Sequence, residues 1–193
     1  LRFYPSWDIL PYENLSPSLE IMGERLEVLN LIKSNQISLL VVPVDAFMQC
    51  VIPRIDLSNQ TFFFSKGEVL EREYLETCLF DNGFARVPMV ENRGDFSIRG
   101  DIVDVYPPAS NNPIRIEFYD NTIESLREFD VNTQVSLNII DRVEILPVRE
   151  VSPNEFQKIN GLGEIAKLAK EQNADSARLK ELNDKIHQPG NFP

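Results

Sequence analysis

From about Thr61 the chain becomes a succession of short apolar runs separated by glycine, proline and asparagine, and this pattern limits it to a strand-rich fold. Residues 62–64, 84–87, 96–98, 102–106, 114–118, 123–129 and 143–146 are the candidate strands. One helical stretch interrupts them near residues 72–80 and stops at Asn82-Gly83, where glycine supplies the left-handed residue that ends a helix. Strands with tight turns and a single helix predict a small α+β domain over 61–147.

The first sixty residues follow another rule. Ser16-Pro17 is a helix start, and Leu19, Met22, Leu26 and Leu29 then share one stripe, which predicts a helix over roughly 17–33. Ile37-Ser38-Leu39-Leu40-Val41-Val42 is a nearly continuous apolar run closed by Pro43, the pattern of a parallel strand buried on both faces. Helix followed by buried strand predicts an α/β class, with residues 1–60 forming part of a doubly wound layer. Beyond Pro153 the composition shifts to Ala, Lys, Glu, Asn and Leu. There Ile165, Leu168 and Ala169, then Leu179, Leu182 and Ile186, predict two short amphipathic helices in a third part, 148–193. The opening Leu1-Arg2-Phe3-Tyr4-Pro5 reads as mid-domain and the closing Pro189-Gly190-Asn191 as a turn, so the expectation is a piece of a longer protein.

Charge and missing motifs narrow the function. Nineteen Lys+Arg against 30 Asp+Glu give −11, which repels a phosphate backbone and favours a protein partner over nucleic acid. No GxxxxGK[ST] loop is present to cradle a nucleotide's phosphates. The single histidine, His187, lies in a polar stretch, so a Ser or Cys nucleophile has no convincing base. Asp101/Asp104 and Glu117/Asp120 are carboxylate pairs of a kind that an acidic strand protein produces readily. Cys50 and Cys78 lack metal or disulfide spacing, and neither a signal peptide nor an apolar run of membrane length occurs. The expectation is a cytoplasmic, non-catalytic chain with no cofactor or metal of its own and no membrane contact.

The run at 114–119 carries the binding signal. Alternation puts Ile114, Ile116 and Phe118 on one face and Arg115, Glu117 and Tyr119 on the other, which should look outward. Phe96 and Ile98 likewise oppose Ser97 and Arg99, with Gly100 as the permissive turn residue. A rigid phenol beside planar guanidinium forks is the make-up of a binding hot spot. The alternative is that Arg99 and Arg115 pair with Asp101, Asp104 or Glu117 and that Tyr119 merely caps the sheet.

The stretch Arg93-Gly94-Asp95-Phe96-Ser97-Ile98-Arg99-Gly100-Asp101-Ile102-Val103-Asp104-Val105-Tyr106-Pro107 is followed by Arg115-Ile116-Glu117-Phe118-Tyr119 and Ile123-Glu124-Ser125-Leu126. Together these resemble the module shared by the UvrB excinuclease subunit and the transcription-repair coupling factors (Mfd). The opening Pro5-Ser6-Trp7-Asp8-Ile9-Leu10-Pro11-Tyr12-Glu13, with Ser16-Pro17 and Arg25, is similar to the coupling-factor version. UvrB proteins carry a long tyrosine-rich insertion near here, whereas the helix at 17–33 runs almost directly into the run at 37–42. The resemblance implies a degenerate helicase-like (RecA-like) layer interrupted by an α+β domain that recruits UvrA, with Arg99, Arg115 and Tyr119 as UvrA contacts. Tyr119 stands where relatives often have phenylalanine. It further implies that the ATP- and Mg-dependent motor, and the partners RNA polymerase and double-stranded DNA, belong to the rest of a parent translocase. A UvrB-like segment touching DNA directly is the alternative. With outward-facing anchors, truncation should cost about 2 kcal/mol or more of binding but only about 0.5 kcal/mol of folding.

Overall fold

The computed structural model describes residues 1–9, 16–150, 155–171 and 180, with the side chains of 155–159 left aside. In chain order its N-terminal elements are β1 (Arg2–Phe3), α1 (Leu19–Lys33), β2 (Leu40–Val41), α2 (Val44–Phe47) and α3 (Arg54–Asn59). Next come β3 (Phe62–Ser65), α4 (Arg72–Asp81), β4 (Ala85–Arg86), β5 (Asp95–Arg99) and β6 (Ile102–Val105). They are followed by β7 (Ile114–Tyr119), β8 (Thr122–Phe129), β9 (Ser136–Ile140), β10 (Arg142–Ile145) and α5 (Glu155–Glu171).

Strands β4 to β9 lie side by side in sequence order as one six-stranded sheet, antiparallel throughout except for β4 against β5. Alternation sorts their side chains as the sequence predicts. Phe96, Val103, Val105, Ile114, Ile116 and Phe118 enter a core that also takes Leu75 and Leu79 of α4 and Phe64, Val143 and Ile145 of the β3–β10 pair. Full burial of such side chains contributes about 1.5–3 kcal/mol each, so this layer is the main source of stability. In β8 the register shifts from Glu117 opposite Ser125 to Phe118 opposite Ile123, leaving Glu124 as an extra, exposed residue. That bulge lets Ile123 and Leu126, three positions apart, both reach full burial on the core side.

The N-terminal part packs beside this domain through α1. Ser18 caps the helix by accepting the Ile21 N–H, and Asp8 in turn accepts the Ser18 N–H at 3.0 Å. Gly23 is required at the crossing: a Cβ there would lie 2.3 Å from the backbone carbon and oxygen of Pro108. Leu26 joins Ile52, Leu57 and Leu146 in a second core. Arg25, fully buried, holds Glu150 through both carboxylate oxygens and donates to the Pro5 carbonyl at 2.7 Å and to Gln49 at 2.9 Å. The charge is neutralised and each guanidinium nitrogen is hydrogen-bonded, the condition under which an ion pair survives burial.

Three expectations are corrected. The run at 37–42 forms only the two residues of β2, paired in parallel with β1, and Leu39 and Val41 are 60% and 48% exposed instead of buried on both faces. Among the described residues β1 is the only strand beside it. Strand β9 has no counterpart in the sequence reading, because an edge strand whose Leu137 and Ile139 stay exposed leaves no burial alternation to detect. In the tail one helix, α5, spans 155–171 in place of a short one around 165, and the helix expected at Leu179, Leu182 and Ile186 lies outside the described residues.

Candidate protein-docking site

Ser97, Asp104, Arg115 and Arg127 form one cross-strand row on the face of the sheet opposite the main core. Asp104 is the centre of the row. Its side chain is 1% exposed, and it accepts from Arg115 at both oxygens, Nε to Oδ1 at 2.7 Å and Nη2 to Oδ2 at 2.9 Å. Arg99 reaches the same carboxylate from β5, Nη2 to Oδ2 at 2.6 Å. The Arg115 guanidinium also lies over the buried ring of Phe129, 4.6 Å from its centroid. The hydrogen bonds to Asp104 push its pKa further up, so it stays charged at every relevant pH.

The three residues singled out from the sequence therefore occupy different settings. Arg115 does not stand free: only 14% of its side chain is exposed, and its fork is committed to Asp104. Arg99 is 47% exposed and uses one nitrogen. Tyr119, at the end of β7 where Asp120-Asn121 turns the chain into β8, is 75% exposed. Both arginines pair with Asp104 among the three acids considered. Asp101 is held by Arg72 of α4, which also donates to the Gly100 carbonyl, and Glu117 pairs with Arg127 at 3.2 Å and accepts from Ser125.

Sequence reasoning offered Asp104 as one of three possible partners of these arginines without choosing among them, and it missed Phe129 as the platform. Parity places Asp104 on the polar face, but which residues stand opposite it depends on strand register, set by the turn at Gly100 on the β5 side and by the 106–113 connection on the β7 side. The carboxylate pairs do not form a metal site: among the described residues no group of three His, Cys, Asp or Glu side chains could hold an ion. Cys50 and Cys78 are both free thiols. No helix among the described residues is long and apolar enough to cross a membrane.

The comparisons with known proteins fall on this same region. Residues 62–151 match the family model of the UvrB interaction domain, and that is the class of domain that the sheet, α4 and the arginine row make up. Over longer stretches the chain is similar to proteins named transcription-repair-coupling factor. It is 36% identical to the one from Escherichia coli over 144 residues, 75% of this chain and 12% of that protein. It is 30% identical to the one from Myxococcus xanthus over 185 residues, 95% of the chain and 15% of the relative. With the Bacillus subtilis protein the figure is 30% over 162 residues. The chain is homologous to the transcription-repair-coupling factors over most of its length and carries a UvrB interaction domain over residues 62–151, as the sequence resemblance implied. It spans about an eighth of the length of these relatives.

Proposed function

We propose that this chain docks the damage-recognition protein UvrA during transcription-coupled nucleotide excision repair, and that it does so without catalysing a reaction. The observation that carries the reading is the exposed Tyr119 on the same strand as Arg115, which together with Arg99 is anchored on Asp104, in a domain matched by the UvrB interaction family. In this reading residues 61–147 are the docking domain, 1–60 come from a degenerate helicase-like layer, and 148–193 begin the next unit. ATP, Mg, RNA polymerase and double-stranded DNA are partners of a parent translocase in the cytoplasm, not of this segment.

Charge speaks against the rival reading of direct DNA contact. Residues 61–147 contain eight Lys and Arg against sixteen Asp and Glu, a net of −8. Such a surface raises the cost of approaching a duplex, while two local guanidiniums still suit an acidic protein patch. A titration of UvrA with the chain and with Arg99→Ala and Tyr119→Ala tests the proposal. Loss of binding by variants that melt like the parent supports it. Undiminished binding, or salt-sensitive binding to duplex DNA instead, defeats it.

A further inference from the structure

Arg99, Arg115 and Asp104 are not three equal members of the surface. Arg115 is committed twice to the carboxylate and rests on Phe129, with little area left to offer a partner. Arg99 makes one bond, through Nη2, and among the described residues its Nε and Nη1 have no acceptor. Asp104 is sealed under both, at 1% exposure. Ser97, its cross-strand neighbour, is fully buried, and among the described residues its Oγ has no hydrogen-bond partner. Among the described residues the hydrogen bonds to this carboxylate come from the two guanidiniums.

We propose that Asp104 is a positioning residue for docking, and that Arg115 acts through it: the pair forms a fixed platform that aims the free edge of Arg99 at a carboxylate of the partner. This deepens the docking reading above and rests on it. An arginine side chain surrenders substantial rotamer freedom when it binds, and one already held at Nη2 surrenders less. Two guanidiniums and one carboxylate leave a single positive charge, set in a domain of net −8. The site therefore attracts an acidic group at short range while the domain as a whole repels polyanions. The partner chemistry that fits is an Asp or Glu side chain on a protein surface, with an apolar neighbour to lie against the Tyr119 ring.

The test is a titration of UvrA with the whole chain as wild type, Tyr119→Ala, Arg99→Ala, Arg99→Lys, Asp104→Asn and the Arg99→Ala/Asp104→Asn double variant, each checked for its melting curve. Arg99→Ala and Tyr119→Ala should each weaken binding about thirtyfold, as hot-spot truncations do. Asp104→Asn should weaken it about tenfold, and the double variant should bind no worse than Arg99→Ala, because the carboxylate acts through that arginine. A further tenfold loss in the double variant, or wild-type binding by folded Asp104→Asn, overturns the proposal while leaving the docking reading intact. Should Asp104→Asn fail to fold, Arg99→Lys decides: it keeps the charge but not the fork, so about a tenfold loss supports the held-fork geometry and binding within about twofold of wild type overturns it. No binding by the wild type, or full binding by both Tyr119→Ala and Arg99→Ala, overturns the docking reading and this inference together.

Discussion

Replacing Arg115 by alanine should destabilise the fold and not only the docking surface. The substitution removes two charge-assisted hydrogen bonds, at 2.7 and 2.9 Å, and the stacking over Phe129 at 4.6 Å. It also leaves Asp104, 1% exposed, with Arg99 as its one remaining partner among the described residues. Orphaning a buried charge costs about 3–5 kcal/mol, and the surviving Arg99 bond returns part of that, so about 2–3 kcal/mol is expected. For a chain of 193 residues this lowers the melting temperature by about 4–12 °C. Tyr119→Ala removes a ring that is 75% exposed and should stay within about 0.5 kcal/mol of the parent. Thermal melting followed by circular dichroism distinguishes the two, backed by urea titration. Adding Asp104→Asn to Arg115→Ala should recover part of the loss, because the orphaned charge is then gone. Equal melting of Arg115→Ala and the parent, within about 1 °C, would refute the reasoning and restore Arg115 to the status of a free surface residue. A binding defect in Arg115→Ala is thus interpretable only after correction for the folded fraction, unlike the same defect in Tyr119→Ala.

Gly23→Ala should destabilise by about 2 kcal/mol in a urea melt, since its Cβ would sit 2.3 Å from the Pro108 backbone and overpacking exceeds the gain in helix propensity. Gly163→Ala, in an exposed turn of α5 with nothing within 4 Å of the added Cβ, should instead be neutral or stabilising by up to about 1 kcal/mol. Hydrogen bonds from the backbone N–H and hydroxyl of Thr133 hold the Asp130 carboxyl below its usual pKa. Its contribution is therefore complete above the unfolded-state value near 4 and is lost as pH falls through the lower folded value. Asp130→Asn should flatten that part of the acid-stability profile, and an unchanged profile would contradict the assignment. Burial pushes the Cys78 thiol up, so it remains protonated at neutral pH, whereas Cys50 is exposed. A thiol-reactive dye should label one cysteine per native chain quickly and the second only on unfolding; rapid labelling of both would show that α4 opens.

Local pattern carried much of this protein without help from the tertiary structure. The period-two runs at 96–98, 102–106, 114–118 and 123–129 became β5 to β8, and Gly100, with a φ of +59, turns the chain where the permissive residue was expected. The stripe of Leu19, Met22 and Leu26 became α1, and the resemblance over 93–126 identified the family. Such features depend on neighbours a few residues away, so they are legible in one dimension. What only the tertiary structure decided involves partners that are distant in sequence. Arg25 meets Glu150 across 125 positions, and β3 pairs with β10 in preference to the main sheet. Asp104 meets Arg115 across a register that no single strand reveals. Parity assigned Arg115 to the polar face, yet parity says nothing about what a polar face holds. The register placed a carboxylate opposite that arginine, and in a poorly hydrated setting a charge is stable only beside its counter-ion. That electrostatic requirement is why Arg115 is tied down while Tyr119, on the same strand, stands in water.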